Sequence, residues 1–414
     1  MIDKSPHALP QTTDTGESHL NSQRHNLQVL AGGISSLILT MGIARFSYTP
    51  ALPRMQEALG LGDAAAGLLA AMNFAGYLSG ALLASSLANT RVKERLFRAG
   101  LILAVLCNAL LPLTESIPVW SLLRYLSGLS SAAGMVLGTS LVLEHLTRQG
   151  VRQLIGVHFG GVGVGIVLTA LALGGADSPL DWRMTWWSSA LLGVMFILPA
   201  WFWVRGDDGA VHPQASQPVT WRELGRPFLY LTGSYFFAGA SFAVGTTFII
   251  AVIQANPELA GVDQSAWLLL GLAAAPSCYL WVRWAARIGN LQSLLMAYVI
   301  QTLGLLLPLL GSGNATLVGA LCFGFTFMGI VAMVLSQAGH LARHNPARLM
   351  GLLVTSYGVG QISGPIVTGQ LMAQSGNPQI ALWLAAGLSA AGTLLAIGTR
   401  ERRPQLRQEC PQPG

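Results

Sequence analysis

Apolar runs about as long as a bilayer is thick recur along this chain, and charged residues sit almost entirely in the breaks between them. A helix needs about 20 mainly apolar residues to cross the hydrocarbon. Water is absent there, so every backbone polar group must be satisfied within the helix itself. Runs of this kind lie at 27–50, 66–88, 99–114, 118–142, 154–175, 184–204, 228–253, 265–285, 291–311, 315–338, 350–373 and 379–398. Charged residues make up 10% of the chain and hydrophobic residues 52%, against roughly 25% charged in a soluble domain. A soluble protein with so few charges has no means of covering that much apolar surface. The expected fold class is therefore an all-α membrane protein with twelve transmembrane helices. The 48 glycines fit this reading, because small residues let membrane helices approach closely.

The basic residues orient the chain. An even number of spans puts both termini on one side. With that side cytoplasmic, 19 of the 23 Lys and Arg lie in cytoplasmic segments, and only Arg54 and Arg183 lie in outer loops. Positive residues stay inside, so a bacterial inner-membrane location with cytoplasmic termini is expected. The net charge of +6 is then a topology signal. Its dispersal over many short loops argues against a nucleic-acid partner. The first 26 residues are polar and lack the apolar core of a leader, so 1–26 reads as a disordered cytoplasmic segment and 399–414 as a cytoplasmic tail. Cys107, Cys278, Cys322 and Cys410 have no metal or disulfide spacing, and no cofactor or metal is expected.

The stretch from Arg205 to Arg226 is the longest polar segment inside the chain. It divides the chain into a six-helix bundle at 27–204, a cytoplasmic linker at 205–227 and a second six-helix bundle at 228–398. Glu144-His145-Leu146-Thr147-Arg148 recurs 195 residues later as Gly339-His340-Leu341-Ala342-Arg343. At the same offset Gly134 matches Gly329, Leu154 matches Leu349 and Gly156 matches Gly351. Tandem halves of this kind are a transporter signature.

Several motifs carry a family resemblance. Arg124-Tyr125-Leu126-Ser127-Gly128 on span four, Asp181-Trp182-Arg183 before span six, and Gly160, Gly161, Gly163 and Gly165 on span five resemble patterns of the major facilitator superfamily. Gly42-Ile43-Ala44-Arg45-Phe46-Ser47-Tyr48-Thr49-Pro50 with Leu52-Pro53 is similar to the span-one signature of YbfB/YjiJ-type transporters. The loop after span two, Asn89-Thr90-Arg91-Val92-Lys93-Glu94-Arg95, lacks the aspartate usual in that superfamily. The resemblance implies two pseudo-symmetric bundles with spans one, four, seven and ten around a central cavity. It also implies solute transport, with proton coupling as the family-level expectation.

Two residues break the charge pattern. All 17 Asp and Glu fall in loops, tails or span ends, whereas Arg45 and Arg124 lie within spans. An arginine at the bilayer centre costs about 2.5–3.5 kcal/mol on insertion scales, so it needs a partner or a watery cavity. Arg45 stands ~27 Å along span one, and Arg124 ~9 Å below the outer end of span four. That puts the two at comparable depth. They are candidates to bind an anionic group of a substrate, a carboxylate above all, because the guanidinium fork suits it. The alternatives are helix packing or gating for Arg124 and snorkelling for Arg45. Tyr48 shares a helix face with Arg45. It is a candidate to donate to substrate or orient the guanidinium, or else an interfacial aromatic. His158, well inside span five, is either a proton carrier or a neutral histidine bonded to a neighbouring helix. In the second half, Tyr235, Phe242 and Thr246 on span seven, Phe325, Thr326 and Met328 on span ten, and Tyr357 and Gln361 on span eleven offer a mixed aromatic and amide surface for an amphipathic small molecule.

The leading function is a secondary transporter that moves a small organic solute by alternating access, with an anion at Arg45 and Arg124. The partners are then that solute, protons if coupled, and the lipid bilayer, with a monomer as the working form. The alternatives are an efflux antiporter for neutral or cationic compounds and a non-transporting sensor. A membrane enzyme is disfavoured, because the acids and histidines form no catalytic constellation. No G-x-x-x-x-G-K-[ST] phosphate loop is present, which argues against an ATP motor.

Overall fold

The computed structural model describes residues 14–174, 180–206, 225–341 and 346–399. Helices account for nearly all of them. Among the described residues, eleven helices are long and apolar enough to cross a membrane. They are Asn21–Leu59, Asp63–Ser85, Thr90–Leu113, Ile117–Arg148, Arg152–Leu173, Trp182–Trp203, Arg226–Gln254, Asp263–Ile288, Asn290–Leu310, Gly313–Ala338 and Ile380–Ile397. These are spans one to ten and twelve. Span eleven, Pro346–Ser375, is helical over 30 residues. It falls short of that apolarity because Thr355, Ser356, Tyr357, Gln361 and Ser363 lie along it. The molecule is thus an all-helical, multi-pass membrane protein.

Several ends differ from expectation. Helix begins at Asp14, so the segment 1–26 expected to be disordered is helical from residue 14 onward. It is held there by side chains: Ser22 Oγ donates to Gln149 Oε1 at 3.2 Å, and His145 Nε2 lies 2.8 Å from Asn26 Oδ1. Span three starts nine residues before the apolar run does. Asn89 caps it by accepting from the backbone N–H of Arg91 and Val92, so the basic segment continues the helix past its apolar portion. The polar residues 207–224 of the expected linker, residues 400–414 of the tail, and Ala342 and Arg343 of the repeat lie outside the described residues.

The helices pair in two matching sets. Span two packs on four, one on six and five, and three on four and six. The second half repeats this as eight on ten, seven on twelve and eleven, and nine on ten and twelve. The halves meet where span two packs on eleven and span five on eight. Close crossings depend on glycine. A Cβ at Gly76 would collide with the Tyr125 carbonyl, one at Gly67 with that of Pro365, and one at Gly163 with the backbone of Ala275.

Spans two and eleven run antiparallel, with Gly369 against Asp63 and Gly358 against Leu78. Both described ends of the chain therefore lie on one face of the bundle, the terminus side. The two sides pack differently. Toward the far side a single hydrophobic core runs through both halves, from Leu52 and Trp120 to Phe248 and Trp267. Toward the terminus side it divides. Val29, Phe97 and Leu141 belong to a core of the first half, and Leu231, Leu294 and Val334 to a separate core of the second. Three hydrogen bonds between the halves sit on the far side: Thr49 Oγ1 to the Thr246 carbonyl at 2.6 Å, Gln264 Nε2 to the Ala170 carbonyl at 3.1 Å, and Trp267 Nε1 to Thr169 Oγ1 at 3.1 Å. Arg54 of the first half also interacts electrostatically with Asp263 of the second. The halves share one core on the far side and keep separate cores on the terminus side.

Candidate functional site

The site forms where span one loses regular helical geometry. Residues Ile38–Ile43 make a π-helical turn, and Ala44–Phe46 and Tyr48–Leu59 follow as separate α-helical pieces. Pro50 has no N–H to return to the Phe46 carbonyl, which helps keep these pieces apart. Span four carries a second π-helical turn at Ala133–Gly138. The two irregular turns are stitched together, since Ser131 Oγ donates to the Thr40 carbonyl at 2.7 Å and Gly134 lies against the Thr40 side chain. Such turns re-aim side chains and recur at functional sites.

Both arginines follow from this break. Arg45 is 4% exposed and Arg124 2%. Arg124 Nη1 donates to the Ala44 carbonyl at 3.3 Å, and Ser127 Oγ donates to the same carbonyl at 3.0 Å. The two arginines thus stand at one depth, close enough to repel each other electrostatically. Among the described residues neither has a carboxylate partner. Arg45 makes one soft contact, from Nη1 to Met41 Sδ at 3.7 Å, while its Nε and Nη2 have no hydrogen-bond partner. Two rings of span two stand under its guanidinium instead, Phe74 at 4.5 Å and Tyr77 at 4.8 Å. Tyr48 has a different role. Its ring lies 4.5 Å from the Arg124 guanidinium, and its hydroxyl donates to the Ala66 carbonyl at 2.8 Å. Its ring stands beside Arg124 rather than Arg45, and its hydroxyl is already bonded to a carbonyl.

The second half supplies aromatic rings. Tyr235 and Tyr357 stack with centroids 4.4 Å apart, and Phe242 stacks on Tyr357 at 6.3 Å. Phe242 also meets Phe46 at 6.4 Å and Phe74 at 6.3 Å from the first half, and Phe327 at 5.1 Å. The Arg45 guanidinium interacts electrostatically with Tyr357 across the junction. Gln361, one turn beyond Tyr357, is buried with an unpartnered Oε1. Arg45, Tyr235, Phe242, Tyr357 and Gln361 therefore share one region between the halves, with Arg124 and Tyr48 beside it.

Three sequence candidates lie elsewhere. Thr326 faces into the second bundle. Its hydroxyl is bonded to the Cys322 carbonyl at 2.8 Å and lies 3.4 Å from Gln301 Oε1. Its neighbour Phe325 faces span eight, where its carbonyl accepts from Ser277 and Trp281. The ring-bearing face of span ten is that of Phe323 and Phe327, which sequence reasoning passed over along with Phe74 and Tyr77. Their i, i+4 and i, i+3 spacings on uncharged stretches of helix are the signal that could have found them. His158 is fully buried on the terminus side, with Nε2 3.0 Å from Thr139 Oγ1, Nδ1 unpartnered, and its ring against Gly33. Gly33 is twelve residues from Arg45, roughly 18 Å along span one. His158 thus sits between spans one, four and five, away from the arginines. Among the described residues, no group of three or more His, Cys, Asp or Glu is placed to hold a metal ion.

A family model described as the uncharacterised MFS-type transporter YbfB matches residues 37–397. The chain belongs to this family. The match takes in all the site residues above. Two solved structures of the nucleoside transporter NupG share the fold of this YbfB-type chain. An aspartate-to-alanine mutant superposes with a TM-score of 0.71 at 14% identity, covering 91% of this chain and 100% of that one. A second NupG structure gives 0.67 at 13% identity, covering 91% and 98%. No curated protein matches the YbfB-type chain at a significant level.

Proposed function

We propose that this YbfB-type transporter moves a small organic anion with an aromatic or other flat apolar part, by alternating access between its two halves. The observation that carries this is Arg45. Its guanidinium is buried, has no carboxylate partner and leaves Nε and Nη2 unbonded among the described residues, and stands on rings where the halves meet. A buried unpaired cation costs several kcal/mol, and a substrate carboxylate or phosphate would offset that cost with charge-assisted bonds. Tyr235, Phe242 and Tyr357 would take the apolar part by stacking. Arg124, bonded to the span-one break, adds positive potential and holds Arg45 at its depth. The terminus side, with its divided cores, is the open side of this conformation, and the charge bias makes it cytoplasmic.

Thermal shift of the purified chain against organic anions, nucleosides and lipophilic cations tests the reading. Stabilisation by an aromatic carboxylate, lost in Arg45→Met and weakened in Arg45→Lys, is expected. Stabilisation by cations or nucleosides alone, unchanged in Arg45→Met, would overturn it.

A further inference from the structure

A cavity of about 960 Å³ opens on the terminus side between span five of the first half and span eight of the second. The two helices touch where Gly156 faces Tyr279, whose ring would lie 3.4 Å from a Cβ at that glycine, and they diverge from there. The walls are apolar, with Ile155 and Val157 on one side and Val282 on the other, and Cys278 at the inner end. The mouth carries Arg152 from the first half and Arg283 from the second, and among the described residues no acidic one lines the cavity. Arg283 is held in place by its own helix, with Nη1 donating to the Tyr279 hydroxyl at 3.0 Å. It also borders a second apolar cavity of about 480 Å³ together with Trp284 and Arg287. Val157, Val282 and Trp284 are exposed, at 45%, 53% and 47%. A cationic mouth at the end of an apolar shaft, open along the lipid-facing seam of a membrane protein, matches one chemistry: an anionic headgroup carrying an acyl chain.

We propose that this crevice binds an anionic phospholipid, its phosphate between Arg152 and Arg283 and an acyl chain along Ile155, Val157 and Val282. Because its walls belong to different halves, the lipid acts as a wedge. Closing the terminus side brings spans five and eight together and expels it, so anionic lipid favours the conformation seen here. This goes beyond the substrate reading and needs only the membrane setting and the movement of the halves. Arg45 plays no part in it.

The test reads binding, not transport. The full chain is purified and titrated with phosphatidylglycerol or phosphatidylcholine under native mass spectrometry. In parallel, alkylation of Cys278 is followed in a chain whose other cysteines are serine. The expected result is retention of one phosphatidylglycerol at least fivefold better than phosphatidylcholine, with Cys278 alkylation slowed at least threefold by phosphatidylglycerol alone. Arg152→Ala with Arg283→Ala removes both effects, whereas Arg205→Ala, a basic residue of the same side outside the crevice, keeps them. Val157→Trp, which fills the shaft and spares both arginines, covers the case in which the double variant does not fold, and it also loses the lipid. Equal retention of the two lipids, unchanged retention in the variants, or full competition by inorganic phosphate would each overturn the proposal, the last by showing a site for a soluble anion.

Discussion

Replacing Arg45 with methionine should make the empty protein more stable while ending transport. The guanidinium is 4% exposed, and neither Nε nor Nη2 is hydrogen-bonded. Desolvating an ion costs several kcal/mol even after the protein relaxes. The ring contacts at 4.5 and 4.8 Å from Phe74 and Tyr77 offset part of this, at about 0.5–2 kcal/mol each. Bonds from Nε and Nη2 are missing, and the contact to Met41 is with a weak acceptor. The balance leaves arginine roughly 1–2 kcal/mol worse than an apolar side chain of similar length at this position. Methionine fills the same space and brings a sulfur that packs well on aromatic rings. Differential scanning fluorimetry of both proteins without ligand should therefore show a higher apparent Tm for Arg45→Met, by a few degrees. Uptake into proteoliposomes should fall to background. A variant several degrees less stable than the parent would refute the reasoning, because Arg45 would then be a structural cation with a partner of its own. A stable variant that still transported would refute the assignment of the site.

Removing the charge of Asp263 should loosen the far side. Asp263 is buried, accepts from Gln254 Nε2 at 2.6 Å and interacts with Arg54 across the halves. In Asp263→Asn, a cysteine at Thr49 should react with an impermeant maleimide about fivefold faster, the equivalent of ~1 kcal/mol; an unchanged rate would separate Asp263 from closure. Gly163→Ala should cost about 1–3 kcal/mol by overpacking against the Ala275 backbone, whereas Gly156→Ala makes only ordinary contact with Tyr279 and should be neutral. Apparent Tm values of the pair check this. Thr326→Val should lose about 1 kcal/mol of stability with its hydrogen bonds to Cys322 and Gln301 and leave substrate Kd unchanged; a weakened Kd would return Thr326 to the site.

The spans were legible because lipid imposes a length of apolar sequence that nothing else in a protein requires. Arg45 and Arg124 were legible for the same reason, as charges where charge is expensive. The rotation of each helix was much less so. Span ten is apolar nearly all the way round, and a helix with no polar face has a pattern without a phase. Sequence therefore favoured Phe325 and Thr326, while the structure turns Phe323 and Phe327 toward the junction. On span eleven the polar residues Tyr357 and Gln361 drew notice in the sequence, and the structure packs that helix on spans two and seven. Pro50 is the local sign of the break in span one, but the π-helical turn before it also meets distant residues that the sequence does not place. Gly42 meets Gly165 of span five, and Thr40 meets Gly134 of span four. The ends of spans one and three were misjudged because capping and side-chain contacts extend a helix beyond the point where apolar sequence stops.

The unpaired guanidinium also bears on how transport is driven. In alternating access the site passes through a state closed on both sides, where water no longer screens Arg45. An empty carrier would occlude an uncompensated cation beside a second one, Arg124, with which it already repels. A carrier loaded with an anion would occlude a neutralised pair. If losing the remaining hydration costs the empty form about 2–3 kcal/mol more than the loaded form, its reorientation is slowed about 30- to 150-fold. Such a carrier exchanges one anion for another much faster than it delivers net flux. Proteoliposomes preloaded with unlabelled substrate should therefore take up labelled substrate at least tenfold faster than empty ones. Arg45→Lys should keep that ratio while transporting more slowly, since an ammonium restores the charge without the fork. Equal rates with and without internal substrate would mean that the empty site finds a counter-charge of its own. Asp263, buried at the far-side rim of the same interface, would then be the first residue to test.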